Sequence, residues 1–204
     1  MVTKLVFLLG CPEDDKTQEM LEEENKKHGD IVQGDFLDTY HNLSYKAIMG
    51  HLWVSEFCDH AEFVVKTDDD VFIDLYEVCP EWTRIIANLK ISKVYHLTRK
   101  YLSSPHYIKD RFLLCLVLRQ NPIWREKNSK HYASYEDMPR VGPEGAEFYP
   151  TMCQGWIVIT SPGTSQAITE AAQVVSFFWI DDVLVSGLIA QHLKIQHQVI
   201  VITR

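Results

Sequence analysis

Along this chain the spacing of apolar and polar residues changes several times, and each change marks a predicted element. The continuous apolar run "LVFLLG" (5–10), ended by Gly10-Cys11-Pro12, predicts a buried strand. The acidic, lysine-rich stretch 15–28 has too few apolar residues to bury a face, which predicts a solvated helix closed by His28-Gly29. "DIVQGDF" (30–36) predicts a second short strand. From Tyr40 to Cys58 the period becomes helical, with Tyr40, Leu43, Ala47, Val54, Phe57 and Cys58 on one side.

Further on, "EFVVKT" (62–67) predicts a central strand, 75–89 a helix, and "KVYHLT" (93–98) another strand. Residues 100–150 alternate proline, charge and aromatic side chains without sustained period, as a lid or binding loop does. "GWIVIT" (155–160) is strand-like, 161–173 passes from turn chemistry into a helix, and acidic residues open a helix over 180–193. "IQHQVIVIT" (195–203) closes the chain as a strand. The alternation predicts an α/β fold, a mixed central sheet flanked by helices, in one domain over residues 1–204.

Composition narrows the function. With 204 residues, 46% of them hydrophobic, the chain is long enough for a sizeable core. A formal charge of −8 disfavours a nucleic-acid partner, although a divalent cation still lets an acidic protein bind a phosphorylated ligand. No apolar run approaches the length of a membrane span, and "MVTKLVFLLG" is too short for a signal sequence. The five cysteines, Cys11, Cys58, Cys79, Cys115 and Cys153, form no CxxC pair and no ligand cluster with histidine, which argues against a structural zinc site, and their count favours buried free thiols over disulfides. The triplet Asn42-Leu43-Ser44 matches a glycosylation acceptor but falls at a predicted helix start, which argues against its use.

Chemistry concentrates in four places. "FVVKTDDDVF" (63–72) sets Asp68, Asp69 and Asp70 straight after a strand, where open α/β sheets bind their ligands. Adjacent carboxylates repel, so a positive group is expected there, and a hard divalent cation shared with phosphate oxygens suits them. Asp181-Asp182 reads either as a dipole-favoured helix start or as a general base raised by its neighbour, and the first is the simpler reading locally. "PIWREKNSKHYAS" (122–134) groups Arg125, Lys127, Lys130 and His131 with Trp124 and Tyr132, as a diphosphate clamp with stacking rings or as a solvated loop. In "EFYPTMCQGWIVIT" (147–160), Pro150 fixes a turn and Gly155 allows close backbone approach.

Taken in order, these segments resemble the β-1,3-galactosyltransferase family of sugar transferases. The likeness rests on "FLLG" (7–10), Glu24, "HGDIVQGDFLDTYHNLSYK" (28–46), Trp53 and Cys58, then "FVVKTDDDVF". It continues through Pro122, Arg125, Ser129-Lys130, Tyr132 and Ser134 to "YPTMCQG" (149–155) and "DDV" (181–183). It implies a GT-A fold that uses Mn²⁺ to hold a UDP-sugar, and inverting transfer of a hexose to a glycan acceptor on a glycoprotein or glycolipid. On that likeness Asp68 and Asp70 would bind the metal, with Asp69 between them. Asp182, beside Asp181, would be the base, Lys46 and Lys130 would lie near the donor, and Trp156 would face the acceptor. The family's arginine- and tryptophan-containing segment, stem and membrane anchor would lie upstream of these residues, and the family works in the Golgi lumen. Two rivals carry different expectations. A haloacid-dehalogenase-like phosphatase wants threonine or valine where this chain has Phe72, and a truncated homologue would bind UDP-sugar without turnover.

Overall fold

The computed structural model describes residues 3–71, 111–138 and 147–199. Strand β1 (Phe7–Cys11) pairs in parallel with β2 (Ile31–Leu37), Phe7 lying opposite Ile31. Helix α1 (Asp15–His28) makes the crossover. Its start is fixed by the Asp14 carboxylate, which accepts the Thr17 N–H at 2.9 Å. Its end is fixed by Gly29, whose φ of 67° only glycine adopts without strain. None of its residues is buried, as its composition predicts.

A short 3₁₀ turn, Tyr40–Asn42, leads into α2 (Leu43–Phe57). The predicted apolar stripe is only partly right. Val54 and the small Ser44 are the buried positions, whereas Tyr40 and Phe57 are exposed. The reason is that α2 touches β1 and β2 and also two helices further along the chain, so it has no single core-facing side. Ser44 Oγ donates to the Phe178 carbonyl at 2.6 Å, and the Asn42 amide donates to the Leu37 carbonyl at 2.8 Å. Both polar members of the acceptor triplet are thus engaged within the fold.

The second sheet has four strands: β3 (Val64–Thr67), β4 (Phe112–Leu118), β5 (Met152–Thr160) and β6 (Gln196–Val199). Their order is β3-β5-β4-β6, with β5 antiparallel to both neighbours and β6 parallel to β4. The sheet is mixed, as expected. Strand β4 falls inside the stretch expected to be an irregular lid, and that expectation is corrected here. "FLLCLVL" is a strand with Phe112 through Cys115 buried, and full burial removes the alternation that would have announced it. The helix and strand expected over 75–89 and 93–98 lie outside the described residues.

Helix α3 (Pro162–Ala171) opens with Ser161 capping Thr164 N and with Pro162 in its first turn. Thr164 Oγ1 in turn accepts the Phe112 N–H at 3.1 Å, tying α3 to the start of β4. Helix α4 begins π-wound over Asp182–Ile189 and finishes as an α-helical turn, Ala190–His192. Ile168, Phe178, Val183, Leu184 and Ile189 form the main core, and Leu113, Cys115, Cys153 and Ala190 a second one.

Cys115 and Cys153 are disulfide-bonded, which overturns the expectation of free thiols for this pair. Cys11 and Cys58 are free, and Cys79 lies outside the described residues. The bridge spans an irregularity in the sheet: Cys115 faces Val158, but the next residue, Leu116, faces Gln154. Gly155, Trp156 and Ile157 therefore bulge away from β4, and the sulfurs join the chain on one side of the bulge to the chain on the other. Only strand register brings these two cysteines together, so no local motif announces them. Replacing Cys153 with alanine is expected to lower the free energy of unfolding by about 3–4 kcal/mol, the closure entropy of a loop spanning 38 residues. Urea melts measure this, and the native protein should lose the same amount on reduction.

Candidate active site

Strand β3 delivers Lys66 and Thr67 to its carboxyl end, with Asp68 one residue beyond. Thr67 Oγ1 and the Asp68 N–H both donate to the Trp156 carbonyl, at 2.9 and 3.4 Å, so the turn is seated on the bulge of β5. The same bulge turns the Gly155 carbonyl toward Lys66. The Lys66 ammonium donates to Asp68 Oδ1 at 2.8 Å and to Gly155 O at 2.9 Å, and lies 3.8 Å from Asp181 Oδ2. The positive group that the aspartate run requires is, in part, a lysine two residues before it.

Asp181 and Asp182 stand at the start of α4. The Gly155 N–H donates to Asp182 Oδ2 at 2.9 Å. A Cβ at position 155 would collide with the Asp182 carboxylate, so glycine here admits a carboxylate of the protein itself. Ser186 Oγ donates to the Asp182 carbonyl at 2.7 Å and accepts the Cys153 N–H at 2.8 Å, which holds the first turn of α4 against β5.

Burial, and then the neighbouring Asp181 charge, push the Asp182 carboxyl up to about 7, against the pull of Lys66 and the Gly155 N–H. Burial works the other way on Lys66, but Asp181, the hydrogen bond to Asp68 and the more distant Asp182 outweigh it and hold the ammonium above its usual value. His51 Nδ1 lies 3.0 Å from Ser165 Oγ. Burial and the Lys66 charge lower it to about 4, so it adds no competing cation near pH 7. The resulting site is an ammonium braced between two acidic clusters, with one carboxylate poised to exchange a proton near neutrality.

The remaining predicted residues divide. Asp69 and Asp70 are exposed on the turn after β3. Lys46 is elsewhere: it binds both Asp38 oxygens, at 2.7 and 2.9 Å, and Asp38 also accepts the Gly10 N–H at the end of β1. Among the described residues no contact joins that pair to the acidic clusters. Lys130 Nζ sits 5.7 Å over the Tyr40 ring, and that phenol is held above its usual value by burial and by Asp181 and Asp182. Trp156 is half exposed beside Gly155. Arg125, read either as part of a diphosphate clamp or as a loop residue, donates to the carbonyls of Ala133, Ser134 and Met138 and organises its own loop.

Lys66 and Tyr40 carry no role in the sequence reading. A lysine inside an apolar strand was a usable signal, because such a residue is buried only when paired. Tyr40 offered none. Among the described residues no three histidine, cysteine or acidic side chains converge as a closed metal site. The donor chemistry of Asp68, Asp69 and Asp70 nonetheless suits a hard divalent cation that completes its shell with water and phosphate oxygens.

A family model described as Galactosyltransferase matches residues 2–200. Among curated proteins, beta-1,3-galactosyltransferase 5 of Gorilla gorilla gorilla is 32% identical over 193 residues, 95% of this chain and 55% of that protein. The Homo sapiens protein of the same name is 32% identical over 193 residues, covering 53% of its length. Lactosylceramide 1,3-N-acetyl-beta-D-glucosaminyltransferase B of Xenopus laevis is 32% identical over 200 residues, 96% of this chain and 46% of that protein. The chain thus spans about half the length of the curated relatives it matches.

A raised carboxyl has a stability consequence whose sign is fixed. The folded protein keeps the Asp182 proton up to about pH 7, whereas the unfolded chain releases it near the ordinary value of 3.8, so stability falls as pH rises through that window. Asp182→Asn removes the burden while keeping an acceptor for Gly155. Its melting temperature is expected to match the native one near pH 3.5 and to exceed it increasingly toward pH 8, by calorimetry.

Proposed function

We propose that this chain, which belongs to the galactosyltransferase family, transfers a hexose from a UDP-sugar to a hydroxyl of a glycan acceptor, with inversion and formation of a β-1,3 linkage. The observation that carries this is the Asp182 carboxylate, raised toward neutrality and linked through Asp181 and Lys66 to Asp68 at the end of β3. A general base works best with a value near the operating pH, and open α/β sheets bind their ligands beyond the carboxyl ends of strands. Both stand side by side here. The relatives' names divide between galactosyl and N-acetylglucosaminyl transfer, so the donor sugar is galactose or an N-acetylhexosamine.

In this reading the fold is of the GT-A type. Asp182 accepts the proton of the acceptor hydroxyl as its oxygen bonds to the anomeric carbon. The bond from that carbon to the diphosphate oxygen breaks on the opposite face, which inverts the configuration. Asp68 and Asp70 would hold the divalent cation, Mn²⁺, with Asp69 between them. When bound, that ion supplies charge stabilisation to the departing diphosphate. Lys66 holds Asp68 and Asp181 in fixed relation, and Lys130, expected near the donor, sits over the Tyr40 ring. Lys46, expected near the donor, instead pairs with Asp38 and orders the end of β1.

The glycan acceptor belongs to a glycoprotein or glycolipid, and the site of action is the Golgi lumen. The Cys115–Cys153 bridge supports an oxidising compartment. Among the described residues no helix is long and apolar enough to cross a membrane.

Three outcomes test the assignment. Asp70→Ala is expected to abolish Mn²⁺-dependent UDP binding, measured by calorimetry with Mn²⁺ and with chelator. Asp182→Asn should retain that binding and lose transfer by about 10²–10⁴-fold, the usual contribution of a positioned base. Because only the deprotonated carboxylate accepts a proton, kcat of the native protein should rise with pH and level off above about 7. UDP release without dependence on Mn²⁺ or on Asp70 would refute the reading.

A further inference from the structure

Beside the carboxylate pair, three separate stretches bring aromatic and basic side chains together. Tyr40 and His41 precede α2, Lys130 and His131 come from the basic segment, and Trp179 lies just before Asp181. The Tyr40 ring is 5.9 Å from Trp179 and 6.2 Å from His131, and the His41 ring is 4.7 Å from Trp179. Tyr40 Oη is 3.2 Å from His131 Nδ1. Burial, and then Lys130, hold His131 below its usual value. The charges of Asp181 and Asp182 act on Tyr40 directly, which puts the cluster within electrostatic reach of the base.

Core packing accounts for Trp179, which lies partly buried against the main core, but not for Tyr40 and His41. Tyr40 is 41% exposed and His41 is exposed, although the main core lies directly beneath, where Phe178 is 2% exposed and touches Trp179. Aromatic rings left open to water beside a buried carboxylate, with polar groups at their edge, have the make-up of a ligand site.

Resting on the transferase reading, we propose that Tyr40, His41 and Trp179 form a shelf of mutually tilted rings, at 40–89° to one another, against which the acceptor's sugar ring packs, with Lys130 over the Tyr40 ring and His131 at the polar edge. A hexopyranose has a face of C–H groups, which packs on aromatic rings, and a rim of hydroxyls, which seeks hydrogen-bonding partners. A ring laid on this shelf brings one hydroxyl toward Asp182 while others meet Lys130 and His131. The Asp181 charge, joined by that of Asp182 once it is deprotonated, disfavours a carboxylated sugar and so selects a neutral hexose, galactose or N-acetylglucosamine.

The test is steady-state kinetics with UDP-sugar and two acceptors, methyl β-galactoside and methyl β-N-acetylglucosaminide. Tyr40→Ala should raise the KM of the better acceptor about tenfold, the loss expected from one stacked ring. The KM for UDP-sugar should not change. Tyr40→Phe, which keeps the ring, should restore most of the acceptor affinity. An unchanged acceptor KM in Tyr40→Ala, or an equal rise in both KM values, overturns the shelf. If Tyr40→Ala does not fold, the exposed His41→Ala variant carries the same expectation. A native protein that transfers to neither acceptor refutes the transferase reading instead. In that event saturation-transfer NMR with the methyl glycosides decides: ring C–H signals lost in the variant support the shelf, and no signal in the native protein overturns it.

Discussion

A partly buried ammonium must be compensated, and the way Lys66 is compensated organises the site around it. Its three partners come from three places: Asp68 from the turn after β3, the Gly155 carbonyl from the bulge of β5, and Asp181 from the start of α4. Each alone would be a modest interaction, and exposed pairs contribute little. Together they fix the acidic turn relative to the acidic helix start. Removing the charge would leave carboxylates facing one another across a confined space.

The bulge makes this geometry available. Had Gly155, Trp156 and Ile157 continued to pair with β4, their carbonyls and N–H groups would have been used in the ladder. Released from it, Gly155 meets Lys66 with its carbonyl and Asp182 with its N–H, while the Trp156 carbonyl, facing β3, takes Thr67 and Asp68. The disulfide across the bulge holds this departure from regular sheet in place. Asp182 then occupies a pocket that disfavours its charge, a local cost to folding of the kind that functional sites retain.

Much of the scaffold was legible in the pattern of residues. The solvated helix α1, its Gly29 stop, strand β3 with the aspartates at its end, and the acidic opening of α4 all follow from local rules. Strand β4 was not legible, because a strand covered on both faces loses its alternation and resembles any apolar run. The stripe on α2 was misread for a related reason, since a helix touched from several sides buries a serine and exposes a tyrosine. By charge alone Arg125 read equally as an anion ligand or as a loop residue, and three backbone carbonyls take up its donors.

Within the site, the sequence determined which groups could do chemistry: the run Asp68–Asp70 beyond a strand, and the pair Asp181-Asp182 opening a helix. Residue type and short-range spacing suffice for that, because capping, strand ends and like-charge repulsion act over a few residues. Only the tertiary structure decided which carboxylate rises toward neutrality, which cation answers the acidic run, and which cysteines join. Those outcomes depend on burial and on distances between segments about 90 residues apart, such as Lys66 and Gly155. Desolvation and Coulomb forces respond to such distances, and local sequence does not encode them.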